Sequence, residues 1–287
     1  MRGLIFGGTG MLGRAVVREA RSRGHAALAL AHGQADVTDR ERVLYWADTF
    51  RPSVIVNCAA YTQVDDCEDN RDHAFAVNDE AVGHLAEAAG EVGAKLVHVS
   101  TDYVFDGQGE APYGEDDDTG PLSIYGASKL AGERRALSAE GGLVVRASWL
   151  FGPGGPNFAA TMVRLIVEGH TPLRVVDDQE GCPTYTPFLA RALWDLAGLG
   201  ATGVVHYRNR EPVTWYGFTR EIASLFQKAV EVHPVTTDEF PRPAPRPAYS
   251  VLDVQRFEDL TGRRVEPWGL GLVEYIADLT QHPRRAL

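Results

Sequence analysis

The chain has 287 residues, 44% hydrophobic and 23% charged, a balance that excludes disordered and fibrous classes and allows one large α/β domain or a nucleotide-binding domain with a smaller lobe. A formal net charge of -11 with no basic stripe argues against a nucleic-acid partner, and no apolar run reaches the roughly 20 residues of a membrane helix. Cys58, Cys67 and Cys182 are odd in number and lack CxxC spacing, which disfavours a disulfide framework and a zinc site and, with Met1 leading straight into a strand, suggests the reducing cytoplasm.

In chain order, apolar runs at 4–6, 26–31, 54–57, 96–99 and 143–147 read as strands buried on both faces. Helical patterns at 11–23, 40–49, 72–92 and 125–137 alternate with them, the first stopped by Gly24. This βαβα series predicts a doubly wound parallel sheet of the Rossmann type over 1–150. Beyond Phe151 the pattern breaks into turns rich in glycine and proline, "GPGGPN", "EGCPTYTP" and "PRPAPRPAYS", which predict a smaller mixed α/β lobe over 151–287. The apolar stretch 187–199 and the run 204–207 read as a helix and strand that return to the sheet, so that about 186–205 rejoins the first domain. The acidic run 115–118 is most simply a solvated loop, with a lid as the alternative.

The turn after the first strand carries Gly7, Gly10 and Gly13 as GxxGxxG, opening a helix. In that context the first glycine permits the tight turn, the second lets the backbone approach a pyrophosphate, and the third packs helix on strand. Met11 and Leu12 would then offer helix N-terminal N–H groups to phosphate. No GK[ST] follows, which rules out a P-loop and leaves a dinucleotide as the ligand. "ADVTD" puts Asp36 and Val37 where an adenine would lie, and the small residues Ala59 and Ala60 of "NCAAYT" suit a flat ligand. The second strand ends at His32 without a carboxylate, so NADPH is permitted beside NADH.

Tyr125 and Lys129 in "YGASK" stand on one face of a helix, and Thr101 in "STDYVFDG" ends the fourth strand. A YxxxK pair alone reads as an amphipathic tyrosine beside a snorkelling lysine. Coupled to the glycine turn and the threonine, it predicts acid-base chemistry, with Lys129 lowering the phenol from its reference pKa of about 10. His206, His233 and His282 show no metal-ligand spacing.

The motifs "GGTGMLG", "NCAAYTQVDDCE", "STDYVFDG", "YGASKLAGE", "RASWLFG", "DDQEGCPTY" and "RPAYSVLD", in this order over nearly the whole chain, resemble the extended short-chain dehydrogenase/reductases and, within them, the dTDP-4-dehydrorhamnose reductase family. The resemblance implies that Thr101, Tyr125 and Lys129 are catalytic: Tyr125 gives a proton to a sugar C4 oxygen, Lys129 holds the nicotinamide ribose, and Thr101, with Ser100 as neighbouring alternative, bonds the developing alkoxide. It also implies that Val64, Asp65, Trp149, Asn157, Phe158, Gln179, Thr184 and Arg246 line a nucleotide-sugar site, with Gly181 and Pro183 in the same motif. Arg246 would face the diphosphate. Asp102 is followed by Tyr103, so the acid–base pair of the related dehydratases is incomplete. Some family members hold Mg2+ at a dimer contact; its carboxylates are not identifiable here, and a homodimer is left open. The competing class is a non-catalytic, dinucleotide-binding regulatory subunit of the same fold, against which the complete catalytic set argues.

Overall fold

The computed structural model describes residues 1–226 and 230–281; His282 and Lys228 lie outside them. The first half alternates β1 (Arg2–Phe6), α1 (Met11–Ser22), β2 (Ala26–Leu30), α2 (Arg40–Phe50), β3 (Val54–Asn57), α3 (Val64–Asp69), α4 (Arg71–Phe75), a π segment (Ala76–Glu80), α5 (Ala81–Val92), β4 (Lys95–Thr101), α6 (Ile124–Ser138) and β5 (Leu143–Ala147). The second half runs β6 (Leu150–Phe151), α7 (Phe158–Glu168), β7 (Leu173–Val176), β8 (Glu180–Gly181), β9 (Thr184–Tyr185), α8 (Thr186–Gly198) and β10 (Gly203–Tyr207). It closes with β11 (Val213–Thr214), α9 (Trp215–Ser224), β12 (Val232–Val235), α10 (Gln255–Thr261) and α11 (Trp268–Gln281).

Six parallel strands form the main sheet in the order β10-β5-β4-β3-β1-β2. The chain leaves β1 towards β2 on one side and returns to β3 on the other, so the strand order reverses there. In open α/β sheets such a switch point leaves a crevice at the carboxyl ends of the strands, where the glycine turn and the β3–α3 turn face each other.

The apolar runs divide by the two-residue period of a strand. Leu4, Phe6, Ile55, Leu96 and Val144 face a core under α2 and α5, while Ile5, Val56, Val97 and Val145 face one under α1 and α8. Each fully buried side chain of this size contributes about 1.5–3 kcal/mol before entropy is charged against it. Trp194 of α8 is 1% exposed, donates to the Val16 carbonyl at 2.9 Å, and sits over Gly3, where a Cβ would lie 2.5 Å from the indole. That contact ties α8 to the sheet beside α1, and β10 then pairs with β5.

One expected helix is interrupted. The pattern over 72–92 predicts continuous α-helix, whereas residues 76–80 take π geometry between α4 and α5. The widened turn faces Asn78 inward, 1% exposed, where its amide accepts from Tyr61 N at 2.8 Å and donates to Tyr61 O and Ser128 Oγ, both at 3.0 Å. Satisfying a buried loop's backbone groups accounts for the break in register. The preceding helix, α3, has no counterpart among the elements read from sequence.

The smaller sheets come from the second half: β6 with β9, β7 with β12 and β8 with β11. No helix among the described residues is long and apolar enough to cross a membrane.

Candidate active site

The glycine turn is built by close approach. Gly7 has φ +68°, and a Cβ there would come 2.6 Å from the Ala59 nitrogen; a Cβ at Gly13 would collide with the Gly7 carbonyl oxygen. Gly10 meets only the Gly7 oxygen, at 3.3 Å, so its openness faces outward. Gly10 also caps α1 and offers no side-chain acceptor to the helix's first N–H groups. Such a terminus suits an anion, and the cradle fits a dinucleotide diphosphate. Leu12 is buried in the core, which leaves only its backbone for phosphate, while Met11 is half-buried at the rim.

Asp36 accepts from Thr38 N at 2.9 Å and Thr38 Oγ1 at 2.8 Å; these bonds outweigh partial desolvation and keep its carboxyl below the usual range. The turn after β2 folds back so that Asp36 Oδ2 comes 3.8 Å from His32 Nε2. Val37 is buried and accepts from His84 Nδ1 through its carbonyl, and Ala59 and Ala60 are half-buried opposite Gly7.

Helix α6 begins where Ser123 caps the Gly126 N–H at 3.1 Å and Glu68 of α3 takes the Ile124 N–H at 2.8 Å. Gly126 lets this first turn lie directly on the Tyr103 carbonyl, which places Tyr125 beside the end of β4. There the Thr101 hydroxyl lies by the Tyr125 phenol, donates to Asp102 Oδ1 at 3.0 Å and accepts from Tyr103 N at 3.2 Å. Ser100 points to the opposite face and donates to Glu133 at 2.6 Å, so Thr101 is the hydroxyl available to the phenol. Asp102 is 2% exposed; burial raises its carboxyl to about 6 against the hydrogen bonds of Ser250 and Thr101.

Lys129 stands differently from the expectation. Its Nζ donates to the Val99 carbonyl at 2.7 Å and lies 3.3 Å from His98 Nε2, and burial brings the lysine down to about 8 despite Glu133 and Cys58. The Tyr125 phenol is pushed above its ordinary value, first by burial, with Asp102 adding to the rise and the Thr101 hydroxyl opposing it. Lys129 is not among the groups that shift the phenol, and its Nζ is bound to the Val99 carbonyl of β4. A protonated phenol is the form that can donate.

A cleft of about 560 Å³ is lined by Tyr103, whose ring meets Tyr125, and by Phe158, Gln179, Trp215, Arg242 and Arg246 among others. Arg246 donates to Asp65 Oδ1 at 2.9 Å and to Ala244 O at 2.7 Å, and Arg242 lies 3.8 Å from the other Asp65 oxygen. Asp65 thus aims the arginines, with Val64 half-buried next to it at the start of α3. Gln179, 6% exposed, donates to Thr237 at 3.0 Å. Trp149 takes φ +45° and stacks on Trp215 with ring centres 3.4 Å apart and planes at 5°, a fit that Gly181 permits by having no side chain under the indole. Phe158 lies 4.4 Å from the same Trp215.

Two expected lining residues carry bonds that brace the lobe. Asn157 caps α7 through Ala160 N and donates to Gly152 O, Gly155 O and Tyr275 Oη, and its Nδ2 lies 3.6 Å from Met11 Sδ. Thr184 is fully buried, and its backbone N–H holds the Trp149 carbonyl at 3.1 Å; Pro183 is buried next to it. Tyr103, whose ring meets Tyr125 edge-on at 5.8 Å, and Trp215 and Arg242 were not singled out from sequence. Tyr103 lay within a quoted motif, but the other two carry no local signal. His206 is held in the core by Tyr113 O and Arg146, and His233 pairs with Glu231. Among the described residues no three His, Cys, Asp or Glu side chains gather as a metal site.

A dinucleotide cradle at a sheet switch point, with threonine, tyrosine and lysine gathered where β4 meets α6, defines an NAD(P)-dependent oxidoreductase of the short-chain dehydrogenase/reductase class. The family described as the RmlD substrate binding domain matches residues 1–281. A dTDP-4-dehydrorhamnose reductase of Streptomyces griseus is 43% identical, over 95% of this chain and 92% of that one. A probable dTDP-4,6-dihydroxy-2-methyloxan-3-one 4-ketoreductase of Streptomyces antibioticus is 39% identical, over 99% and 98%. The crystal structure of dTDP-4-dehydrorhamnose reductase from Bacillus anthracis in complex with NADP superposes with a TM-score of 0.92 at 36% identity, covering 96% of this chain and 99% of that one. The chain belongs to the dTDP-4-dehydrorhamnose reductase family and is an NAD(P)-dependent reductase of dTDP-4-keto sugars.

Proposed function

We propose that the protein reduces the 4-keto group of dTDP-4-dehydro-L-rhamnose to give dTDP-L-rhamnose, with NADPH or NADH as reductant. The observation that carries this is the edge-on contact of Tyr125 with Tyr103, at 5.8 Å, where Tyr103 lines a cleft that also contains Arg246. The bound nicotinamide supplies the hydride. Tyr125, protonated and held by Thr101, gives its proton to the C4 oxygen as negative charge develops there, and the Thr101 hydroxyl shares that charge. Arg246 and Arg242, aimed by Asp65, take the diphosphate, while the stacked Trp149 and Trp215 with Phe158 flank the sugar. Gly7, Gly10, Gly13 and the backbone of Met11 and Leu12 hold the cofactor diphosphate, and Asp36, Val37, Ala59 and Ala60 border its adenosine half. In this reading residues 1–150, with about 186–205, carry the cofactor and the remainder of 151–287 carries the sugar.

A second reading, reduction of another dTDP-4-keto sugar by the same residues, is favoured by the name of the Streptomyces antibioticus relative. Following NADPH absorbance with dTDP-4-dehydro-L-rhamnose and with other dTDP-4-keto sugars separates the two. Turnover of the rhamnose precursor with the highest kcat/KM supports the first, and preference for another sugar supports the second. Absence of turnover with every sugar would turn the assignment towards the regulatory subunit.

A further inference from the structure

The short helix α3 joins two parts of the site that lie far apart in the chain. Its first turn faces the arginines of the cleft. Arg242, Ala244 and Arg246 alternate with Pro241, Pro243, Pro245 and Pro247. Each of the three precedes a proline and is biased to extended backbone, so the segment has few conformations to lose. All three converge on Asp65. The Ala244 N–H donates to Oδ1 at 3.2 Å, Arg246 donates to the same oxygen at 2.9 Å, and Arg242 lies 3.8 Å from Oδ2. Desolvation would raise the Asp65 carboxyl, but these partners outweigh it and hold the group below its ordinary range.

The next turn of α3 faces α6. Glu68 stands three residues after Asp65 and accepts from the Ile124 N–H at 2.8 Å. That donor is the first of α6, where a helix offers its own N–H groups no acceptor. Ser123 serves the donors that follow, its hydroxyl accepting from Gly126 N at 3.1 Å and its carbonyl from Ala127 N at 2.9 Å. The residue after Ile124 is Tyr125. Between the two acids Cys67 is 0% exposed, which packs α3 firmly against its neighbours, and its thiol is one of the groups that raise the Tyr125 phenol. Glu68 is not among those groups, so its carboxylate acts on Tyr125 through position and not through charge.

We propose that Glu68 is a positioning residue for Tyr125, and that α3, gripped at one turn by the cleft arginines and at the next by α6, sets the distance between the diphosphate anchor and the phenol. The inference rests on the proposed reduction, in which the diphosphate lies on Arg242 and Arg246 and the phenol donates to the C4 oxygen. A sugar held by its diphosphate brings C4 to one place, and the phenol has to stand there. Rates fall steeply when reacting groups are displaced, by about a hundredfold for roughly 1 Å. Loss of the Glu68 bond frees the first turn of α6 without removing a group that holds nucleotide, sugar or cofactor. The cost therefore falls on kcat and not on affinity.

Glu68→Ala should lower kcat for the preferred dTDP-4-keto sugar about ten- to a hundredfold, with dTDP affinity by isothermal titration and NADPH affinity by fluorescence close to wild type. Glu68→Gln keeps an acceptor oxygen and should recover most of that loss. Ile124→Pro removes the donor at a helix position that proline favours, and should reproduce the alanine result with Glu68 intact. A glutamine variant as slow as the alanine one, or equal losses of kcat and dTDP affinity, overturns the proposal. A second measurement needs no sugar. In protein without added nucleotide, labelled at the tyrosine ring carbons and assigned with Tyr125→Phe, Glu68→Ala and Ile124→Pro should shift the Tyr125 NMR signals, whereas Glu68→Gln should leave them near the wild-type position. Unmoved Tyr125 signals in whichever of the first two variants folds overturn the proposal. A wild-type protein that reduces none of the sugars would count against the proposed reduction, and the tyrosine signals would still decide the part played by Glu68.

Discussion

At the scale of single residues, the proposed reduction turns on the Tyr125 phenol. Tyr125→Phe keeps the ring against Tyr103 and removes the phenol oxygen, so turnover should fall by about 10²–10⁴-fold while NADPH binding by fluorescence titration stays unchanged. Near wild-type turnover would remove Tyr125 from the acid's role. Asp102 adds a pH signature of its own. Its carboxyl is raised from 3.8 to about 6, so the folded state holds the proton more tightly than the unfolded chain does. The associated stability is fully present below pH 3.8 and is lost as pH rises through about 6. The difference corresponds to about 3 kcal/mol. Asp102→Asn should flatten that part of the stability–pH curve, and unfolding in urea between pH 4 and pH 7 would show it. Trp215→Ala removes the surface on which Trp149 rests; KM for the sugar should rise about tenfold or more with NADPH affinity little changed. A larger loss of NADPH affinity than of sugar affinity would place Trp215 in the wrong half of the cleft.

At the scale of elements, the glycine turn separates into two jobs that substitution can distinguish. A methyl at Gly13 is driven into the Gly7 carbonyl and must lift α1 from β1, so Gly13→Ala should lower the melting temperature even without nucleotide. A methyl at Gly10 meets a single atom at 3.3 Å, so Gly10→Ala should melt near the wild type while weakening NADPH. Equal destabilisation by both would show that the turn serves folding alone. The π segment works in a similar way on the neighbouring loop. By facing Asn78 inward it pins Tyr61 and Ser128 together, and Tyr61 belongs to the stretch that carries Ala59 and Ala60 into α3. The break in the helix thus fixes the wall opposite the glycine turn relative to the helix of Tyr125.

At the scale of the whole molecule, the cleft exists because two distant stretches meet. Asp65 starts near the sheet and Arg242 and Arg246 come from the C-terminal half, yet they form one charged cluster on the cleft wall. Arg246→Met should weaken substrate binding about tenfold or more, with NADPH affinity retained, as isothermal titration with dTDP can establish. An unchanged dTDP affinity would return Arg246 to a purely structural part.

The sheet, the glycine turn and the Tyr125–Lys129 pairing were legible in the amino-acid order because they depend on short-range patterns. Apolar runs of strand length alternate with helical stretches, the glycines sit at three-residue spacing, and Tyr125 and Lys129 share one helical face. Less visible were features whose cause lies far away along the chain. Asn157 and Thr184 sit in motifs that point to the sugar, but Tyr275 and Trp149 claim their polar groups from other elements. The π geometry answers to Tyr61, the Trp149–Trp215 stack to a glycine in β8, and the lowered proton affinity of Lys129 to desolvation. Periodicity and turn chemistry act between near neighbours, so sequence alone determines the α/β order, the glycine turn and the shared helical face of Tyr125 and Lys129. Burial, hydrogen-bond competition and pKa depend on which remote side chains arrive at the same place, and only the tertiary structure decides those.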